Sequence, residues 1–148
     1  MPQSNPATRS DYCRYESLTT RWMDNDAFGH VNNATYYSYF DTAINQYLIG
    51  ECGLDVLRGP IRGLIVHSEC DYFRSVQFPQ RLEVGLRVER LGSSSVHYGL
   101  ALFAEGHEEA AARARMVHVF VDAATSRPTS VPEPLRRRLE IIAALGAD

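Results

Sequence analysis

An α+β architecture is the fold class this sequence predicts: a five-stranded antiparallel sheet wrapped around one long central helix, with a short C-terminal helix. Three observations lead there. Apolar residues recur at helical spacing along one long stretch, 33–49, and cover most of that helix's surface, so it must be shielded on more than one side. One strand candidate precedes the helix. Four more follow it, and the last three are joined by short turns.

Residues 1–14 are polar, carry Pro2 and Pro6 and lack an apolar signal core, so a flexible arm is expected ahead of a single domain over 15–148. Residues 16–23 read as a first strand, with Leu18, Thr19, Thr20 and Trp22 as β-favouring residues. In the helix, Tyr36, Phe40, Ala43, Ile44, Tyr47 and Leu48 mark the apolar spacing; Asn32 or Asn33 suits its N-cap and Gly50 its C-terminal stop. Residues 51–63, with three glycines and Pro60, read as a loop. Residues 64–76 form a long mixed strand. Residues 81–91 alternate cleanly, with Leu82, Val84, Leu86 and Val88 on one face. Residues 95–105 alternate likewise, and 110–122 end in a run apolar on both faces, as an interior strand should. Turns at 92–94 and 106–109 make an antiparallel meander of these four strands. Residues 134–145 form the closing helix, with Leu135, Leu139, Ile142 and Ala143 on one side.

Composition narrows the function classes. The chain has 148 residues, 45% hydrophobic and 22% charged, as expected of one globular domain with a real core. A formal net charge of −3, without an Arg block, gives no footprint for nucleic acid or a membrane surface, and arginine supplies all 15 positive charges. No apolar run is long enough to cross a bilayer. Cys13, Cys52 and Cys70, odd in number and widely spaced, fit reduced thiols and a cytoplasmic setting better than a disulfide frame.

The chemistry concentrates in residues 21–33, R-W-M-D-N-D-A-F-G-H-V-N-N. Two carboxylates, an imidazole and two amides fall where the helix begins, beside its unpaired N–H groups and the positive end of its dipole. That placement suits a reaction in which negative charge develops on an oxygen. From spacing alone, Asp26 reads first as a turn or capping carboxylate, and the Asn32 and Asn33 side chains read as caps. A calcium loop starting at Asp24 fails, because Phe28 and Thr35 stand where oxygen ligands and a Glu are needed. His107-Glu108 lacks the second histidine of a zinc protease, and no cysteine has zinc-spaced partners, so no metal site is expected. Ser93, Ser94 and Ser95 lack the elbow of a serine nucleophile.

The stretch R-W-M-D-N-D-A-F-G-H-V-N-N-A-T-Y-Y-S-Y-F-D at 21–41 resembles the hot-dog-fold acyl-CoA thioesterases of the 4-hydroxybenzoyl-CoA thioesterase type. Weaker echoes follow in D-Y-F-R at 71–74, L-E-V-G-L-R-V-E-R-L-G-S-S-S at 82–95 and V-F-V-D-A-A-T-S-R-P at 119–128. The resemblance implies a hot-dog fold in a homodimer or homotetramer, hydrolysing a CoA thioester at sites between subunits. It carries the catalytic carboxylate onto Asp26 and the backbone N–H that polarises the thioester carbonyl onto Asn33. His30 falls where many relatives have histidine. No cofactor is implied beyond the coenzyme A of the substrate.

Asp26 would act as nucleophile, forming a mixed anhydride, or as general base on a water. The Asn33 N–H would hold the oxyanion, and such a donor is worth roughly 3–4 kcal/mol in the transition state. Gly29 permits the tight turn beside the thioester. His30 and Asn32 are expected to orient the carboxylate, water or thioester. Tyr36 is a candidate for the acyl pocket and Ser94 for the CoA arm. Two other functions compete: a hot-dog hydratase or dehydratase, whose Asp/His arrangement is not found around this helix, and a non-catalytic acyl-CoA-binding dimer.

Overall fold

The computed structural model describes residues 6–145. Strand β1 (Arg14–Thr19) leads through a loop to helix α1 (Thr35–Gln46), which widens into a π turn over Tyr47–Glu51. Strands β2 (Ile61–Tyr72), β3 (Arg81–Leu91), β4 (Ser95–Ala104) and β5 (Ala112–Asp122) follow, then helix α2 (Glu133–Leu145). The five strands form one antiparallel sheet in the order β1-β3-β4-β5-β2, and α1 lies in its concave face: this is a hot-dog fold.

The core follows from strand alternation. Leu82, Val84, Leu86 and Val88 of β3 and Val96, Tyr98, Leu100 and Leu102 of β4 point inward onto Phe40, Ala43, Ile44, Tyr47 and Leu48. Leu135, Leu139 and Ile142 of α2 close the same cluster. The sheet and α2 leave one stripe of α1 in solvent, Ser38, Asp41, Thr42 and Gln46, so the helix is less enclosed than its sequence suggests.

Several expectations shift. Only β3, β4 and β5 form a meander; β2 lies beyond β5 at the far edge, so the 73–80 connection crosses from one side of the sheet toward the other. The first strand ends at Thr19, and Trp22 and Met23 stand exposed in a single 3-10 turn. The helix does not stop at Gly50, which lies within the π turn. It ends at Gly53, whose φ of +70° is the left-handed conformation that favours glycine there. Residues 6–13, in the stretch expected as a flexible arm, lie along the outer face of the sheet. Ala7 and Tyr12 are buried against Ala101 and Phe103, Arg9 pairs with Glu83 at 3.0 Å, and Ala110 N–H donates to the Ala7 carbonyl. Among the described residues no helix is long and apolar enough to cross a membrane, and all three cysteines are free thiols.

Candidate active site

The loop between β1 and α1 is built in two steps. At its start Asp24 is 4% exposed. Its carboxylate accepts from the Arg21 backbone N–H at 2.8 Å and the Tyr39 hydroxyl at 2.7 Å, with the Arg21 guanidinium at 3.4 Å. Burial and the adjoining carboxylate push the Tyr39 phenol far above its ordinary pKa, so it remains a donor. Asp24 thus ties the loop to the middle of α1, the structural role its pairing with Arg21 suggests.

Asp26 then opens a tight hairpin. Its N–H donates to the His30 carbonyl at 2.9 Å and its carbonyl accepts from Gly29 N–H at 3.1 Å. Gly29 has φ +83°, which glycine adopts without strain. The Asp26 side chain is half-buried. One oxygen accepts from Phe28 N–H at 2.8 Å, and the other stands 3.5 Å from the Asn32 amide nitrogen. A carboxylate has about four lone-pair directions, so this one retains acceptor capacity.

Asn32 joins this turn to the helix. Its side-chain oxygen accepts from Ala34 N–H at 2.9 Å and its carbonyl from Thr35 N–H at 2.9 Å, an Asx turn that leads into α1 while its amide nitrogen faces Asp26; the N-cap itself is Ala34, one or two residues past the expected Asn32 or Asn33, and it has no side-chain cap. Asn33 is exposed. Its N–H has no acceptor among the described residues, whereas its carbonyl takes both Tyr36 N–H, at 3.3 Å, and the Tyr72 hydroxyl, at 2.9 Å. An outward, unpaired N–H at a helix start is an anion-holding group. Asp26, Asn32 and Asn33 are therefore assembled together.

The other candidates distribute differently. The His30 imidazole is exposed and makes no hydrogen bond among the described residues, so it is free to meet a ligand. Tyr36 is 3% exposed; its hydroxyl accepts from Val76 N–H, and it is a core residue of the single chain. Ser94 lies in the β3–β4 turn, at the far end of β3 from the loop that touches the hairpin. Eleven residues of strand span about 35 Å, so within one chain Ser94 is not brought to Asp26. Arg21 and Tyr39 border a cavity of about 620 Å³ between β1 and the exposed stripe of α1, which contains neither Asp26 nor Asn33. Among the described residues no cluster of three His, Cys, Asp or Glu side chains is disposed to hold a metal.

The crossing connection supplies what sequence reasoning missed. Val76 accepts Val31 N–H at 2.9 Å, and Phe78 N–H donates to the Asn25 side-chain oxygen at 3.0 Å, pinning the hairpin from below. Trp22 meets Phe78 edge-on at 5.9 Å. Only the strand order reveals that 73–80 passes this point.

Residues 20–139 match the model of the thioesterase-like superfamily. The chain is 54% identical to the PA5185 protein of Pseudomonas aeruginosa strain PAO1, whose crystal structure superposes with a TM-score of 0.92 over 95% of this chain and 97% of that one. It is 32% identical to a thioesterase of Thermus thermophilus solved in complex with coenzyme A and Zn, with a TM-score of 0.72 over 89% and 92% of the two chains. It is also 25% identical over 92 residues to the uncharacterized protein YsmA of Bacillus subtilis (strain 168). That match takes in 61% of this chain and spans 62% of the relative's length.

Proposed function

This chain belongs to the thioesterase-like superfamily, and on that premise we propose that it hydrolyses the thioester of an acyl-CoA to a free acid and CoA. The observation that carries the reading is the pairing of two groups around one turn. The Asp26 carboxylate, with one partner on each oxygen, keeps spare acceptor capacity, and the unpaired Asn33 N–H stands at the start of α1, joined to it through Asn32. The coenzyme A bound to the Thermus thermophilus thioesterase supports CoA as the thiol half of the substrate.

In the proposed reaction the thioester carbonyl oxygen faces the Asn33 N–H, and the α1 dipole favours the charge it acquires. Asp26 takes a proton from a water as that water adds to the carbonyl carbon, or adds to the carbon itself and is released by water in a second step. In both routes the C–S bond breaks and its electron pair leaves on sulfur: in the first the proton held by Asp26 returns to the thiolate, and in the second CoA departs as the thiolate and water then cleaves the anhydride, restoring the Asp26 carboxylate. The Asn32 amide orients the carboxylate, and His30 stands at the rim to contact water or thioester. No step passes through a metal or a further cofactor, and we place the reaction in the cytoplasm.

A second copy of the chain belongs to the same proposal. Strand β2 is a sheet edge with one side of its backbone unpaired, and Leu64, Ile65 and Val66 are exposed on both its faces around a bulge. Pairing there would extend the sheet and wall the Asp26 hairpin with a neighbour, forming a cleft around it; Ser94 of a neighbour would then meet the CoA arm.

Release of free thiol from a panel of acyl-CoAs, read with a thiol-reactive dye, tests the reading. Hydrolysis by the native chain is expected. Binding without thiol release, or conversion of an enoyl-CoA without it, would replace the proposal with a binding protein or a hydratase.

A further inference from the structure

The first turn of a helix is its weakest part, because its N–H groups have no intrahelical acceptors and few bonds hold its backbone. Asn33 stands just ahead of that turn; its N–H lies in the Asn32–Asn33 peptide plane, and the Asn33–Ala34 plane, which carries its carbonyl, is coupled to that plane through φ and ψ at its Cα. The plane before it is held by Thr35 N–H on the Asn32 carbonyl at 2.9 Å. The plane after it is held through Ala34 N–H on the Asn32 side chain, at 2.9 Å, and through the Asn33 carbonyl itself. The Tyr36 N–H reaches that carbonyl at only 3.3 Å, a long bond.

The stronger partner of the Asn33 carbonyl comes from elsewhere. Tyr72 closes β2, the edge strand, and its hydroxyl donates to this carbonyl at 2.9 Å. It is the one contact among the described residues that ties Asn33 to the sheet; the other hydrogen bonds around Asn33 come from residues next to it in the chain. The Tyr72 ring is steadied in turn, since it meets Tyr36 edge-on with centroids 5.0 Å apart at 74°. The Tyr36 hydroxyl is anchored by Val76 N–H at 3.2 Å, and Val76 holds Val31. A ring-to-ring brace therefore runs from the edge strand and the crossing connection to the peptide beside the unpaired N–H.

We propose that Tyr72 is a positioning residue: its hydroxyl, fixed in the sheet, holds the Asn33–Ala34 peptide and, through φ and ψ at Asn33, restricts rotation of the preceding peptide plane that carries the Asn33 N–H. The inference rests on the reading of that N–H as the oxyanion donor. Tyr72 does not touch the reacting atoms; it acts through Asn33. Because it lies on β2, it also makes the edge strand part of the site, so that whatever pairs with that edge bears on the oxyanion donor.

Tyr72→Phe keeps the ring and its contact with Tyr36 and removes only the hydroxyl. In the thiol-release assay kcat should fall about five- to tenfold, the loss expected for one hydrogen bond that matters in the transition state. KM should stay within about twofold of the native value and the thermal midpoint within about 2 °C. Independently of activity, amide hydrogen exchange at Thr35 and Tyr36, whose N–H groups close this turn, should quicken about tenfold while β3 and β4 amides are unchanged. Unchanged exchange at Thr35 and Tyr36 overturns the proposal, as does a native kcat, or a kcat loss accompanied by faster exchange throughout the sheet. If the native chain releases no thiol from any acyl-CoA, the functional reading fails by itself and the exchange measurement alone decides whether Tyr72 holds this peptide.

Discussion

Asp24 is buried and takes the Arg21 N–H, the Tyr39 hydroxyl and the Arg21 guanidinium, whereas Asp26, two residues on, is half-buried, with Phe28 N–H on one oxygen and the Asn32 amide 3.5 Å from the other. Both arise from one loop, and the same residue type is held in two different ways. A carboxylate whose lone pairs are satisfied by fixed donors is an anchor, since any departure strands buried partners. A half-buried carboxylate with a single partner on each oxygen keeps acceptor capacity for a proton or a carbon centre. Asn32 divides the two regions: its N–H donates to the Asp24 carbonyl at 3.1 Å, while its amide faces Asp26.

Exchanging charge for shape at each carboxylate tests this contrast. Asp26→Asn should lower kcat at least about a thousandfold, a barrier increase of ~4 kcal/mol, with a thermal midpoint within about 2 °C of native. Near-native thiol release by this variant would remove Asp26 from the chemistry. Asp24→Asn should do the reverse. It turns an amide toward Arg21 N–H and weakens a buried network, so urea unfolding should register a loss of about 3 kcal/mol, and kcat of the folded fraction should fall far less than in the Asp26 variant. Equal stability losses in the two variants would erase the distinction.

His118 extends the comparison to a buried group that stays uncharged. It is 3% exposed, its Nδ1 lies 3.1 Å from the Tyr98 hydroxyl, and burial pushes its pKa down to about 4 from 6.5. Between those values the unfolded chain binds the proton and the folded chain does not. Its contribution to stability is therefore intact above pH 6.5 and is lost as the pH falls toward 4. Unfolding free energies should drop by roughly 2 kcal/mol by about pH 4.5 on this account, and His118→Leu should flatten that limb. The smallest effect belongs to the divider. Asn32→Ala removes the Asx-turn hydrogen bond ahead of α1 and should cost about 1 kcal/mol in stability, with kcat/KM lowered about tenfold; a stability loss with unchanged turnover would make Asn32 a turn residue alone.

Much of this is legible without any coordinates. Strand β3 runs over Arg81–Leu91, and β4 and β5 differ by one or two residues at an end from the expected 95–105 and 110–122, because Leu82 to Val88 and Val96 to Leu102 alternate cleanly against one core. Strand β2 begins and ends three to four residues ahead of its expected bounds, 64–76. As an edge strand with Leu64, Ile65 and Val66 exposed and a bulge between Ile65 and His67, it carries no alternation to read. The grouping of Asp26, Asn32 and Asn33 is legible because all three are local to one turn. The Tyr39 and Tyr72 contacts are not, because they depend on helix rotation and on strand order, which spacing along the chain does not encode. The separation of Ser94 from Asp26 within one chain escapes the sequence for the same reason.

The segment over residues 6–13 has a practical corollary. Tyr12 fits over Gly85 so closely that an added Cβ would sit 2.8 Å from its ring, and Ala101 and Phe103 beneath are fully shielded. Cutting the chain between Tyr12 and Cys13 would strip a greasy patch bare on the outer face of an otherwise intact sheet. The shortened protein is expected to keep its fold yet clump, so that loss of solubility, rather than loss of turnover, would be the first sign of proteolytic trimming at this end.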